Sequence, residues 1–343
     1  MNYCITGAAG FIGFSLAKTL LEQGHSVLGI DSINDYYSKS LKEMRLSILR
    51  RFAQFRFDQL DIKNFEAVDK TFAAFKAEKH SVNCIINLAA QAGVRYSLEN
   101  PFAYRDSNLD GFLTMLEIAR KYKPEHFMFA SSSSVYGLNK KTPYAECDAV
   151  DHPISLYAAT KKANEVMAHS YSHLYKIPTT GLRFFTVYGP YGRPDMAYFK
   201  FAKRIEEGLP LDVFNEGNLQ RDFTYIDDVV QGIIGLAKLP PKEQPEIDNE
   251  AAGPDSSSAP FEIYNIGNAH PESLLTFIEL LEKHLGKSAK KNFLPMQPGD
   301  VYVTAADTSK LLKAIGWKPS TSLDDGLKKF CTWFKVYCNG DCT

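Results

Sequence analysis

Tyr157 and Lys161 stand four residues apart in the stretch Leu156-Tyr157-Ala158-Ala159-Thr160-Lys161. On a helix this spacing puts both side chains on one face, one turn apart. A free tyrosine titrates at about 10 and a free lysine at about 10.4. A lysine cation beside the ring favours phenolate, which makes the tyrosine a base near neutral pH. Upstream lies the run Ser131-Ser132-Ser133-Ser134-Val135-Tyr136-Gly137. A serine hydroxyl from it could share a substrate proton with that phenolate. Taken alone, the same spacing fits an ordinary amphipathic helix with a surface lysine, so the rest of the chain has to decide.

The elements that would position this pair begin at the N-terminus. Tyr3 to Thr6 reads as a strand, Gly7-Ala8-Ala9-Gly10-Phe11-Ile12-Gly13 as a turn, and Phe11, Ile12, Leu16, Leu20 and Leu21 recur at helical spacing. Glycines suit a turn where backbone approaches a pyrophosphate at a helix N-terminus. Ser26 to Ile30 is the next strand, and Asp31 follows it, 18 residues after Gly13. An acid there accepts from adenosine ribose hydroxyls and repels a 2′-phosphate, which favours NAD over NADP. The spacing is Gly-x-x-Gly-x-x-Gly rather than the commoner Gly-x-Gly-x-x-Gly. Its context of strand, helix and acid carries the dinucleotide reading.

Alternating strands and helices continue, implying an α/β fold, a Rossmann-type doubly wound parallel sheet with a smaller C-terminal α/β substrate lobe. Residues 32–54 hold Asp35-Tyr36-Tyr37 and a basic helix, Lys39 to Arg51, read as a solvated face. Phe55 to Leu60 is a third strand, closed by Asp61-Ile62 facing the adenine. Ser81 to Leu88 is a fourth, almost wholly apolar, as suits burial on both faces. It runs into small residues after Leu88, Ala89 and Ala90, which let a cofactor lie close. Asn108 to Lys121 is a helix, Phe127 to Ala130 a strand that delivers the serines, Ser155 to Tyr175 the Tyr/Lys helix, and Thr180 to Phe184 a sixth strand. The expected organisation is a dinucleotide-binding domain over 1–185, with part of 223–262 returning to it. A substrate lobe spans 186–222 and 263–343, and 240–260 is a mobile surface loop. Helices are expected near 197–207, 227–238, 273–285, 308–315 and 323–337, the last opening on Ser322 and Asp325 at capping-box spacing.

A chain of 343 residues buries a large core. Its net charge of -1, without a basic run, argues against nucleic acid as a partner. No stretch is apolar and long enough to span a membrane. The strand-like start leaves no room for a signal peptide. The six cysteines lack zinc spacing, so no metal is expected; Cys331, Cys338 and Cys342 cluster near the C-terminus. Reduced thiols fit a cytoplasmic protein.

Taken in order, the glycine turn, Asp31, Asp61-Ile62, the serine run and Tyr157-x-x-x-Lys161 resemble the extended short-chain dehydrogenase/reductase family of nucleotide-sugar enzymes. The resemblance covers nearly the whole chain. It implies tightly bound NAD, a UDP-sugar substrate, a homodimer paired through the helices near 108–121 and 155–175, and a catalytic trio of Ser132, Tyr157 and Lys161. Ser133 and Ser134 leave open which hydroxyl acts. Asn108 matches an asparagine near the nicotinamide end. Relatives that dehydrate or decarboxylate the sugar look like Asp-Glu or Ser-Glu where this chain has Ser133-Ser134, so the resemblance points instead to 4-epimerisation. The runs Phe184 to Ala197, Gln91 to Ser97 and Gln297 to Val301 resemble UDP-glucuronate 4-epimerases, which interconvert UDP-glucuronate and UDP-galacturonate through a 4-keto sugar. Arg193 and Thr186 are then candidates for the sugar carboxylate. Arg221 matches a diphosphate ligand, Arg95 could serve the diphosphate, the carboxylate or only its own loop, and Asp300 belongs to the substrate set. Rival readings are a 4-epimerase of neutral UDP-hexoses or UDP-N-acetylhexosamines, a net-redox dehydrogenase, and an idle NAD-binding regulator.

Overall fold

The apolar runs become strands and the periodic segments between them become helices. The computed structural model describes residues 1–79, 81–296 and 302–339. In chain order the strands are β1 (Asn2–Thr6), β2 (Ser26–Asp31), β3 (Phe55–Gln59), β4 (Cys84–Asn87), β5 (His126–Ser132), β6 (Thr179–Phe184), β7 (Thr186–Tyr188), β8 (Pro210–Phe214), β9 (Gln220–Tyr225), β10 (Phe261–Ile266), β11 (Pro271–Ser273) and β12 (Lys290–Leu294). The helices are α1 (Phe11–Glu22), α2 (Lys39–Leu49), α3 (Phe65–Lys79), α4 (Tyr96–Glu99), α5 (Pro101–Tyr104), α6 (Gly111–Tyr122), α7 (Leu156–Tyr175), α8 (Ala197–Glu206), α9 (Ile226–Ala237), α10 (Leu274–Leu285), α11 (Ser309–Ile315) and α12 (Leu323–Asn339).

Seven strands form one parallel sheet in the order β10-β6-β5-β4-β1-β2-β3. The chain runs outward from β1 to β3, then starts again at β4 on the other side of β1. Such a switch point opens a crevice at the carboxyl ends of the strands. Here the two strand ends are tied together. Thr6 Oγ1 donates to Asn87 Oδ1 at 2.6 Å and accepts from Ala89 N at 3.1 Å. β4 is buried along its whole length, as a strand covered on both faces must be.

β7, β9 and β11 form a second sheet that contributes Thr186, Val187 and Arg221 to the crevice wall, and β8 pairs with β12. Asp222 of β9 organises this part. Its buried carboxylate accepts from the backbone of Asn268, Ala269 and Ala306 at 2.7, 3.0 and 2.9 Å. α9 packs on α1, and β10 joins the main sheet beside β6. Residues 240–260 lack strands and helices, but their second half is tied down. Asp255, Ser257 and Ala259 are buried, and His169 Nε2 lies 2.8 Å from Ser257 Oγ.

The helix expected over 108–121 is regular only from Gly111; Arg105–Asp110 makes a wider π turn. Ser322 Oγ accepts from Asp325 N at 3.1 Å, so the last helix opens at its capping pair. Among the described residues no helix is long and apolar enough to cross a membrane.

Candidate active site

A cavity of about 600 Å³ fills the crevice and runs on between the two sheets. At one end stands the glycine turn. Gly7 has φ +72°, and a Cβ there would meet Ala89 N at 2.9 Å; a Cβ on Gly13 would stand 2.1 Å from the Gly7 carbonyl oxygen. The turn is therefore glycine partly so that α1 can start close under it and β4's loop can pass over it. Gly10 precedes the first turn of α1, and Phe11, Ile12 and Gly13 line the cavity. Anions are stabilised at such an N-terminus. Asp31 is fixed at the end of β2, its carboxylate accepting from Ala9 N at 3.1 Å and Ile33 N at 2.8 Å. Asp61, Ile62, Leu88, Ala89 and Ala90 also line this end. A cradle of tight glycines, a helix start, a fixed carboxylate and small wall residues fits a dinucleotide.

The other end holds the acid–base residues. α7 opens on Ser155, whose hydroxyl accepts from Ala158 N at 3.1 Å. That cap aims Tyr157 and Lys161 into the cavity. β5 ends at Ser132, and successive serines point to opposite sides of the strand. The Ser131 hydroxyl is engaged elsewhere, donating to Glu165 Oε1 at 2.6 Å. Ser132 and Tyr157 both line the cavity, and the Ser132 hydroxyl donates to Ser134 Oγ and accepts from Ser134 N, each at 3.2 Å. Ser133 and Ser134 line the wall as well. The Tyr104 ring meets the Tyr157 ring edge-on, with centroids 6.1 Å apart.

The electrostatics differ from the simple lysine–tyrosine picture. Burial raises the Tyr157 hydroxyl above its ordinary value; the polar Ser132 hydroxyl and the Arg193 charge pull it back part of the way. Lys161 Nζ instead donates to the Ala130 carbonyl at 2.9 Å, and burial lowers it to about 8. Arg193 thus adds a cation at this end of the cavity, while the Lys161 ammonium is directed at the end of β5.

Thr186, at the start of β7, Arg193 and Arg221 line the same end. Arg193 forms a two-pronged pair with Asp195, Nε to Oδ1 at 3.0 Å and Nη2 to Oδ2 at 2.5 Å. Arg221 Nη1 donates to the carbonyls of Gln220 and Tyr302 at 2.9 and 3.3 Å. Two residues of the expected set stand away from the cavity lining. Asn108 is buried behind it. Its Oδ1 accepts from Gln91 N at 2.8 Å, and its Nδ2 donates to Gln91 O and Thr160 Oγ1, each at 3.0 Å. It fastens the loop after β4 to α7. Arg95 is exposed, with its guanidinium 5.6 Å over the Phe214 ring. Asp300 and the rest of 297–301 lie outside the described residues.

The basic helix α2 is not the solvated face expected from its charge. Lys42 and Arg45 are buried, and Lys42 Nζ donates to Asn34 O and Oδ1, each at 2.7 Å. The overlooked signal is the spacing Leu41, Arg45, Leu49, which puts the arginine on the apolar stripe.

Comparison with known proteins agrees with this architecture. The family described as GDP-mannose 4,6 dehydratase matches residues 4–330. Protein CapI of Staphylococcus aureus is 52% identical over 98% of this chain and 99% of its own length. A probable UDP-glucuronate 4-epimerase of Rhizobium meliloti (strain 1021) is 50% identical over 97% of both chains. A crystal structure of UDP-glucuronic acid 4-epimerase from Bacillus cereus, in complex with UDP-glucuronic acid and NAD, superposes with a TM-score of 0.85. It is 35% identical and covers 98% of this chain and 100% of that one.

Proposed function

The chain belongs to the GDP-mannose 4,6 dehydratase family, and on that premise we propose that it is a 4-epimerase of UDP-sugars. Its substrates are UDP-glucuronate and UDP-galacturonate, interconverted with NAD retained through each turnover. The observation that carries this reading is the pairing at the cavity's inner end. Tyr157 has the Ser132 hydroxyl and the Arg193 charge beside it, while serines occupy 133 and 134 where the resembling dehydratases and decarboxylases carry an acidic residue.

Gly7, Gly10, Phe11, Ile12 and Gly13 would hold the pyrophosphate, Asp31 the adenosine ribose, Asp61 and Ile62 the adenine, and Leu88 to Ala90 the middle of the cofactor. NAD, when bound, supplies a reversible two-electron acceptor for the sugar C4. The chain's own part is proton transfer and orientation. Tyr157 Oη takes the proton of the sugar 4-hydroxyl and later returns it. Ser132 Oγ bridges the two oxygens, and Lys161 would hold the nicotinamide ribose. Arg221 would bind the diphosphate, Arg95 is a candidate for the diphosphate or the carboxylate, and Asp300 belongs to the expected substrate set. Asn108 acts from behind through Gln91 and Thr160.

The 4-keto uronate is a β-keto acid, which loses carbon dioxide when its C5–C6 bond aligns with the carbonyl π system. Arg193 and Thr186, which line that end of the cavity, would hold the carboxylate out of that alignment. Residues 1–185, with part of 223–262 returning to them, form the dinucleotide-binding lobe, and 186–222 with 263–343 form the substrate lobe, although β10 (Phe261–Ile266) pairs with β6 of the main sheet. Two copies pair through α6 and α7, whose outward faces show Leu113, Val166 and Leu174 at 43%, 58% and 63% exposure.

The test is incubation of purified protein with UDP-glucuronate, without added NAD, followed by proton NMR. Growth of UDP-galacturonate to a constant ratio supports the reading. UDP-pentose with carbon dioxide, or conversion of UDP-glucose alone, refutes it.

A further inference from the structure

Arg193 is held by more than its own loop. Asp195 fills the Nε–Nη2 edge of the guanidinium with both carboxylate oxygens. Tyr36 Oη donates to the same Asp195 Oδ2 at 3.2 Å. Tyr36 is in turn wedged against its surroundings: its hydroxyl oxygen lies 2.7 Å from where a Cβ on Gly93 would stand, and its ring meets that of Tyr96 at 4.8 Å. The main chain around Arg193 is fixed separately. Arg45, fully buried, gives Nε and Nη2 to the Tyr191 carbonyl at 3.2 and 2.7 Å, and Nη2 to Gly192 O at 3.1 Å. Its Nη1 donates to Ala9 O and Tyr37 Oη, each at 2.8 Å. One arginine thus fastens the glycine turn to the loop that carries another. Arg193 N closes the set by donating to Tyr198 Oη at 2.9 Å.

An arginine occupied on one edge still offers the other. A guanidinium has five N–H donors in a rigid plane, and Arg193 Nη1 makes no hydrogen bond to a described residue. We propose that Tyr36 and Asp195 are positioning residues for uronate specificity: they lock the Arg193 plane so that its Nη1–Nη2 edge receives a sugar carboxylate in one orientation only. Arg45 fixes the height of that edge against the dinucleotide turn. This rests on the uronate reading of the site. A freely rotating arginine would follow the carboxylate as the sugar turns over. A locked one holds it, and so keeps the C5–C6 bond out of line with the 4-ketone. When the lock fails, that bond breaks, carbon dioxide leaves, the electron pair passes into the C4 carbonyl as an enolate, and a solvent proton arrives at C5.

The experiment measures calorimetric Kd values of the parent protein, Asp195→Asn and Tyr36→Phe for UDP-glucuronate, UDP-glucose and UDP, with trapped carbon dioxide counted during UDP-glucuronate turnover. In Asp195→Asn the uronate should bind about tenfold more weakly, the worth of a charge-assisted hydrogen bond. UDP and UDP-glucose should bind as in the parent, and carbon dioxide release should rise. Tyr36→Phe removes one hydroxyl and keeps the ring, so it should fold as the parent does and show the same selective loss to a smaller degree. Equal weakening of all three ligands, or an unchanged uronate Kd without carbon dioxide, overturns the proposal and leaves the substrate reading standing. A parent protein that binds UDP-glucuronate no better than UDP-glucose overturns both.

Discussion

Glu165→Gln tests whether the helix carrying Tyr157 is held by a buried charge pair. Glu165 lies one turn beyond Lys161 on α7, and Arg183 lies in β6; they are 2% and 0% exposed. Arg183 Nε and Nη2 donate to the two Glu165 oxygens at 2.8 and 3.0 Å, while Ser131 Oγ donates to Oε1 at 2.6 Å. Arg183 Nη1 donates also to Glu146 O at 2.9 Å and Tyr136 Oη at 3.1 Å. Glutamine keeps the shape and removes the charge, which leaves Arg183 buried without a counterion. Breaking such a pair on one side costs about 3–5 kcal/mol. Against a typical total of about 5–15 kcal/mol the variant folds but loses much of its margin. The double variant Glu165→Leu with Arg183→Met should regain most of the loss, because two well-packed apolar side chains replace a pair that is expensive to desolvate. Turnover should follow a different rule. Ser131 and Glu165 tie the end of β5 to α7, so both variants loosen Ser132 against Tyr157. A displacement of about 1 Å lowers rate by about a hundredfold. Urea unfolding gives the stability, and single-turnover kinetics at saturating substrate gives the rate. A stability loss under about 1 kcal/mol in Glu165→Gln, together with unchanged kcat, would refute the argument.

Four further outcomes are expected. Tyr157→Phe should lower kcat by about a thousandfold while circular dichroism and bound NAD stay as in the parent; turnover within tenfold would remove Tyr157 from the acid–base role. Ser132→Ala should lower kcat by about a hundredfold and Ser133→Ala should leave it unchanged, since only Ser132 reaches Tyr157; the reverse ranking sinks the assignment. Gly13→Ala should reduce the NAD that co-purifies and destabilise the fold by about 1–3 kcal/mol, because backbone oxygen stands where the Cβ must go; full NAD content would contradict this. His126 is buried neutral between Thr180 and Ala237, and burial lowers its pKa to about 4. The unfolded chain takes up that proton near pH 6.5, so stability should fall as pH drops from about 6.5 to 4, by about 3 kcal/mol in all. His126→Gln should flatten that slope in urea titrations, and an unchanged slope would show that other groups cause it.

Much of this architecture is written in short-range pattern. The glycine turn, the acid after β2 and the i,i+4 pair on α7 are local features, and local sterics and helix periodicity decide them. The π turn at Arg105–Asp110 is not written that way. It arises where Asn108 reaches Gln91 and Thr160 at once, contacts that span 17 and 52 residues. The serine run shows the same limit. Alternation along a strand says that Ser131 and Ser132 face opposite ways, but only the position of Glu165 says which faces inward. Arg45 is the hardest case. A charged residue on a basic helix reads as solvated, and its acceptors, the carbonyls at 191 and 192, are 146 and 147 residues away. Its place among Leu41 and Leu49 was the single local sign that it points inward.

Arg193 and its partner Asp195 also explain how one cavity can serve a base and bind an acid. Arg193 lends its charge to Tyr157, offsetting part of the burial that raises the phenol. A sugar carboxylate taken by the same arginine would withdraw part of that help at the moment the base is needed. Asp195 lessens the conflict. It already neutralises one edge of Arg193, so Tyr157 is set from the outset against a compensated cation, and a second carboxylate changes its surroundings by less than it would beside a bare one. The Ser132 hydroxyl, which carries no net charge, is unaffected by the substrate's ionisation and is the larger of the two influences that favour phenolate. On the proposed reading the acid–base step therefore leans on a neutral neighbour, and the charged neighbour is left to hold the uronate.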